Sequence, residues 1–325
     1  MDLVPGRVFY DCFDQLTYEQ KTRTATDLVN VVSTLYTMTS SYCGSMIYNQ
    51  SLTDDQHSPR YGSPPPLTCT GIADNKFTIG PFNDITFLQL PQAVPASSCG
   101  PFRTERSFIE AMTYRGSPAT RSRERAVNWS YERLLEVYDA VRPLHSIPGA
   151  EPQTFHFSHG DLSKANIFLD PETGAVTGII DWEMSGFRPT WLVAAGLAWF
   201  DDDSCKFTVD DNQDGYDDLT DDDRKLMEYF HTVLGERNPE LLQHHEQSVE
   251  LRAIFYNLCH DYAGNVKMWL QLYEEYEWDV NKRGPFPFDC QSWVGESQDL
   301  YHGEPTLLPW CFDFSLQLAQ PTSLK

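Results

Sequence analysis

The sequence predicts an α+β fold, mainly helical and built around one short β-hairpin. Two observations carry this. Ile167-Phe168-Leu169 is an apolar run, Asp170-Pro171-Glu172-Thr173-Gly174 is dense in turn formers, and Ala175 to Ile180 is β-branched enough to return as a second strand. Elsewhere apolar residues recur mostly at helical spacing. A chain of 325 residues with 41% hydrophobic and 13% aromatic content can bury one sizeable core, which is not the composition of a disordered chain.

In chain order, Tyr18 to about Met38 reads as the first helix. Asn49 to Pro66, rich in Ser, Asp and Pro, reads as an exposed loop, and Phe77 to Leu90 as a hairpin or a short helical turn. Phe108 to Tyr114 and Asn128 to Val141 are helical; the second carries Leu134, Leu135, Val137, Tyr138 and Val141 along one side and leads through a Pro148 to Pro152 turn towards the hairpin. Beyond Asp181 the pattern is mostly helical, with Leu226 to Leu234, Pro239 to Ala263 and Val266 to Tyr276 as candidates before an aromatic, Pro-interrupted tail. No internal repeat is visible.

The segments flanking the hairpin carry the chemistry. His159-Gly160-Asp161-Leu162-Ser163-Lys164-Ala165-Asn166 leads into its first strand, and Ile179-Ile180-Asp181-Trp182-Glu183 closes its second. Pairing of the strands brings these ends side by side, so Asp161, Asn166 and Asp181 are delivered to one place. Their order and spacing are those of a phosphoryl-transfer centre, where a group that accepts a hydroxyl proton sits beside ligands for the metal ions that neutralise the transferring phosphate. Asp and Asn near turns are common for backbone reasons alone, as caps and turn formers. Six matching positions in order around an apolar hairpin are much harder to obtain that way.

Through these residues the chain resembles the aminoglycoside phosphotransferase-like kinases, a family that includes choline-kinase-like enzymes and many fungal relatives. Its catalytic loop reads H-G-D-x-x-x-x-N, followed by I-D-W-E or a near variant. The resemblance implies a protein-kinase-like fold with a mainly helical large lobe, and transfer of the γ-phosphoryl of ATP, or of GTP, to a small-molecule hydroxyl with Mg²⁺. Residue by residue, it implies Asp161 as the general base or hydroxyl-orienting group, Asn166 and Asp181 as Mg²⁺ ligands, and His159 as the residue packing the loop from behind. Ser163 and Lys164 would flank the phosphates. Gly160 stands where protein kinases carry an Arg that pairs with a phosphorylated activation loop, which argues for a small-molecule acceptor.

The same resemblance divides the chain into a hinge and first helix (1–48), a loop-rich insertion (49–107), the catalytic loop with its metal-binding hairpin (108–190), and a helical subdomain with a tail (191–325). The small nucleotide-binding lobe expected ahead of the hinge is missing from this reading. Before His159 the glycines show no phosphate-cradling spacing, and the only lysines are Lys21 and Lys76. A catalytically weak binding module, or a truncated gene product, is the alternative this raises.

The net charge of -23 is concentrated: between Asp201 and Asp223 eleven Asp stand against Lys206. Such a field repels nucleic acid and would attract a cationic acceptor of the aminoglycoside or amino-alcohol kind, although a solubilising surface loop reads the same way. Asp210 to Gly215 opens like an EF-hand loop, but Asp217 and Asp221 occupy the positions that need an apolar residue and a bidentate Glu, so calcium is not expected. The eight cysteines form no C-x-x-C pair and read as scattered core thiols. With no leader-like start, and with the longest apolar stretch, Trp191 to Phe200, half the length of a membrane span, the expectation is a cytoplasmic protein with reduced thiols and an unused sequon at Asn128.

Overall fold

The computed structural model describes residues 4–48, 69–70, 77–83, 99–113, 125–145, 154–195 and 220–248, and parts of 250–287. The Asn49 to Pro66 loop, Lys76, the Pro148 to Pro152 turn, the EF-hand-like stretch at 210–215 and the tail beyond 287 lie outside the described residues.

Helices form where the sequence alternates at helical spacing. A short α1 (Phe9–Cys12) leads into α2 (Tyr18–Tyr36), which starts where Thr17 and Gln20 cap each other reciprocally, each side chain bonded to the other's backbone N–H. The third and fourth helices, α3 (Glu105–Thr113) and α4 (Arg125–Val141), begin a few residues earlier than the apolar pattern suggests. After α5 (Thr190–Ala195), α6 (Asp221–Arg237) also begins early, at a second reciprocal cap between Thr220 and Asp223. Asp221, Asp222 and Asp223 thereby fall in its first turn, where the helix dipole favours negative charge. The end of the acidic segment is thus helical rather than loop. The expected Pro239 to Ala263 helix is interrupted: α7 (Pro239–Gln247) stops at Ser248, whose ψ of 19° takes it out of helical geometry.

Among the described residues two antiparallel sheets accompany the helices, so the fold is α+β as expected but carries more strand than one hairpin. In chain order the strands are β1 (Arg7–Val8), β2 (Thr39–Ser40), β3 (Gly44–Tyr48), β4 (Cys69–Thr70), β5 (Phe77–Gly80), β6 (Phe155–Ser158), β7 (Ile167–Leu169), β8 (Val176–Ile179) and β9 (Gly186–Pro189). The smaller sheet runs β1-β7-β8 and contains the predicted hairpin, with Ile167 opposite Ile179. The larger runs β4-β2-β6-β9-β3-β5. Its strand β9 lies just past Asp181, where the sequence reading names no strand; four residues are too few for an alternating pattern to register. The residues from Phe77 take the strand alternative, paired with β3.

Each sheet is rooted in its own core. Ile167 and Leu169 are fully buried with Leu28, Val29 and Val32 of α2 and with Phe230 and Leu234 of α6. Phe155, Phe157 and Phe187 of the larger sheet pack with Phe108 and Ile109 of α3 and with Leu134, Val137 and Val141 of α4. Burying each such side chain stabilises the fold by roughly 1.5–3 kcal/mol. The loop 159–166 runs from β6 in one sheet to β7 in the other, so both cores fix its ends.

Candidate active site

The hairpin turn is clamped to α2 by side chains on one helical stripe. Thr24 Oγ1 donates to the Gly174 carbonyl (2.6 Å), Gln20 Nε2 to the Glu172 carbonyl (2.6 Å), and the Asp27 carboxylate accepts from the Val176 N–H (3.1 Å). Gly174 has φ +70°, and a Cβ there would overlap the backbone of Gln20. The sequence pattern gives no hint of this clamp, since its partners are some 150 residues apart.

At the open end of the hairpin the loop closes on itself. The Asn166 side-chain amide donates to the Asp161 carbonyl (2.8 Å) and carboxylate (3.1 Å), while the Asn166 N–H reaches the Ser163 carbonyl (3.0 Å). Across the hairpin the Ile180 N–H donates to the Asn166 carbonyl (3.0 Å), which places Asp181 one residue beyond Asn166's neighbour. Asn166 is buried, Asp161 half-buried and Asp181 exposed. Asp181 itself is left-handed, with φ 66° and ψ 52°, a conformation unfavourable for any residue but Gly and tolerated best by Asn and Asp. It opens a single 3-10 turn over Trp182 to Met184.

His159 is buried behind this loop. The Asp161 N–H can only donate, so the Nδ1 it meets at 3.3 Å is an acceptor; the ring proton is on Nε2, which donates to the Ile180 carbonyl at 2.8 Å. Burial pushes the His159 pKa down, against the opposing pull of the Ile180 carbonyl and of the Asp161 and Asp181 charges, which keeps this tautomer neutral. The ring also packs on the exposed Trp182, centroids 4.5 Å apart. Gly160, at φ +89°, lies so close to the Met184 carbonyl and the Arg188 guanidinium that no Cβ fits. Lys164 is exposed, its ammonium 5.9 Å from the Phe9 ring centroid, and Ser163 is half-buried in the turn.

The donor set suits Mg²⁺. The Asn166 side-chain oxygen and the Asp181 carboxylate, hard oxygen donors at one end of the hairpin, accept no hydrogen bond from the described residues. No three His, Cys, Asp or Glu among the described residues cluster as a self-sufficient metal site, and Mg²⁺ ordinarily completes its shell with water and phosphate oxygens.

Residues 85–229, which contain His159 to Asn166 and Asp181, match the family described as "Phosphotransferase enzyme family". Over that span the chain is similar to this phosphotransferase family. An aminoglycoside 3'-phosphotransferase from Streptomyces ribosidificus is 38% identical over 58 residues, 18% of this chain and 19% of that protein. The chain therefore spans about a fifth of the length of the curated relative it matches. No solved structure matches.

Proposed function

We propose that this phosphotransferase-like chain transfers the γ-phosphoryl of ATP to a hydroxyl of a small molecule, on a protein-kinase-like scaffold. The observation that carries the reading is the pairing of Asn166 with Asp161 beside a left-handed Asp181, three oxygen-bearing side chains gathered at one hairpin end. Asp161 would orient the acceptor hydroxyl and take its proton as the hydroxyl oxygen bonds to the γ-phosphorus and the bond to the bridging oxygen of ADP breaks. Asn166 and Asp181 would hold Mg²⁺, which supplies charge neutralisation to the transferring phosphate. Ser163 and Lys164, in the turn between Asp161 and Asn166, would flank the phosphates. The family match favours phosphoryl transfer over a pure binding module.

The acidic segment suits a cationic acceptor, such as an aminoglycoside or an amino alcohol. None of the described helices is long and apolar enough to cross a membrane. The test is transfer of radiolabelled γ-phosphate from Mg-ATP, and separately from Mg-GTP, to a panel of aminoglycosides, amino alcohols and sugars. Turnover that needs Mg²⁺ and falls to background in Asp161→Asn supports the reading. Absence of Mg-nucleotide binding, or turnover indifferent to Asp161→Asn, sinks it.

A further inference from the structure

Arg188 of β9 is 5% exposed and follows Asp181 by seven residues. Its guanidinium donates from Nη1 to Ser158 Oγ (3.1 Å) and from Nη2 to the Met184 carbonyl (2.7 Å), and lies 5.3 Å from the Phe82 ring centroid. Ser158 is the last residue of β6, immediately ahead of His159; Met184 ends the 3-10 turn that Asp181 opens. One side chain thus joins the strand that delivers Asp161 to the turn that follows Asp181.

We propose that Arg188 is a positioning residue for phosphoryl transfer, holding Asp181 in register with Asp161 through the Met184 carbonyl and Ser158. The inference rests on the phosphotransfer reading above. Asp181 occupies an unfavourable backbone region, costing on the order of 1–3 kcal/mol, so neighbouring contacts must over-determine it. Those contacts come from both sides. The Ile180 carbonyl is taken by His159, the Glu183 carbonyl by Asn83 Nδ2 (3.0 Å) and the Met184 carbonyl by Arg188. Of these donors only Arg188 carries a fixed charge, and it is buried.

Burying a cation costs several kcal/mol unless hydrogen bonds and an aromatic face offset it. A leucine or methionine would fill the same space in the sheet without that cost. The planar fork of Arg, however, reaches two acceptors in fixed geometry, which Lys cannot do. Gly160 belongs to the same arrangement: any side chain there would push the guanidinium away from Met184. A displacement of about 1 Å in a reacting geometry can lower turnover about 100-fold while leaving binding largely intact.

The experiment uses the full chain with Mg-ATP and water as the acceptor, so that no natural acceptor need be known. Steady-state ATP hydrolysis, Mg-ATP affinity by calorimetry and melting temperature are measured for wild type, Arg188→Met and Arg188→Lys. The expected result is a kcat reduced about 10- to 100-fold in Arg188→Met, a smaller reduction in Arg188→Lys, and a KM and Mg-ATP affinity within about threefold of wild type in both. Wild-type hydrolysis with an unchanged kcat in Arg188→Met overturns the role of Arg188 and leaves the phosphotransfer reading standing. Losses of kcat, affinity and melting temperature in step would mark a purely structural residue and overturn it too. Should Arg188→Met fail to fold, Arg188→Lys decides by the same criteria: reduced kcat with intact KM and melting temperature supports the role, and wild-type kcat refutes it. A wild-type chain that neither binds nor hydrolyses Mg-ATP removes the phosphotransfer reading and this inference together.

Discussion

The side-chain amide of Asn166 spans Asp161, donating to both its carbonyl and its carboxylate. Because the nitrogen faces Asp161, the amide oxygen is turned away from it. The same bond holds the Asp161 carboxylate in one orientation, so a single side chain links the residue proposed to orient the acceptor to the proposed metal site.

Replacing Asn166 by Asp turns that donor into a second carboxylate facing the first. Like charges at this distance repel or share a proton. We expect Asn166→Asp to lower kcat by about 100-fold or more and to raise the Mg²⁺ concentration for half-maximal activity, read from Mg²⁺ titrations of ATP hydrolysis. An unchanged Mg²⁺ dependence in both Asn166→Asp and Asn166→Ala would remove Asn166 from the metal site.

Gly160→Ala adds a Cβ at a left-handed position already enclosed by Met184 and Arg188. Strain of this kind costs about 1–3 kcal/mol, and the loop must shift to relieve the overlap. The expected outcome is a lower urea midpoint together with a loss of turnover. A variant as stable as wild type would contradict the geometry of the loop.

The clamp on the hairpin turn predicts a local effect. Thr24→Val keeps the shape but leaves the Gly174 carbonyl without its buried donor, a loss of about 1–2 kcal/mol. Amide hydrogen exchange should quicken at residues 172–176 while the larger sheet keeps its protection. Uniform loss of protection across both sheets would show that the clamp is not local.

Two histidines away from the site make stability depend on pH. Burial lowers the pKa of His244 to about 4 and also lowers that of His156, which is held against the Tyr36 ring and carbonyl. Both are neutral in the fold and take up a proton on unfolding below their ordinary value of 6.5. The unfolded chain binds more protons there, so stability is complete above that value and falls as pH drops towards about 4. His244 alone should account for about 2 kcal/mol between about pH 7 and pH 5. Urea unfolding across this range should show the decline, and His244→Gln should flatten it; a slope unaltered by the substitution would exclude His244 as its source.

Much of the site is legible in the sequence because it is local. His159 to Asn166 and Ile179 to Glu183 are short stretches joined by a turn, and Gly174 and the β-branched Val176 to Ile179 settle the pairing within 25 residues. The start of α2 at Tyr18 was legible too, whereas the apolar pattern places the start of α6 too late, because the Thr220–Asp223 cap that begins it lies ahead of the first apolar residue of the helix face. By contrast β6 and β9 are four residues each, and the pairing of β6 with β2 and of β9 with β3 sets residues more than 100 positions apart side by side, which no local periodicity encodes.

The sequence by itself thus determined the type and order of the chemical groups: a carboxylate, an amide and a second carboxylate around a hairpin, on a mainly helical chain. Tertiary structure alone decided how those groups are held. The left-handed turn at Asp181, the neutral His159 that bridges Asp161 to Ile180, the Arg188 fork between Ser158 and Met184, and the grip of Gln20, Thr24 and Asp27 on the hairpin all depend on contacts that form only when two cores close on the ends of one loop. The physical reason is range. Backbone propensity and turn chemistry act over a few residues, whereas a buried donor finds its acceptor only after apolar packing has brought distant strands together.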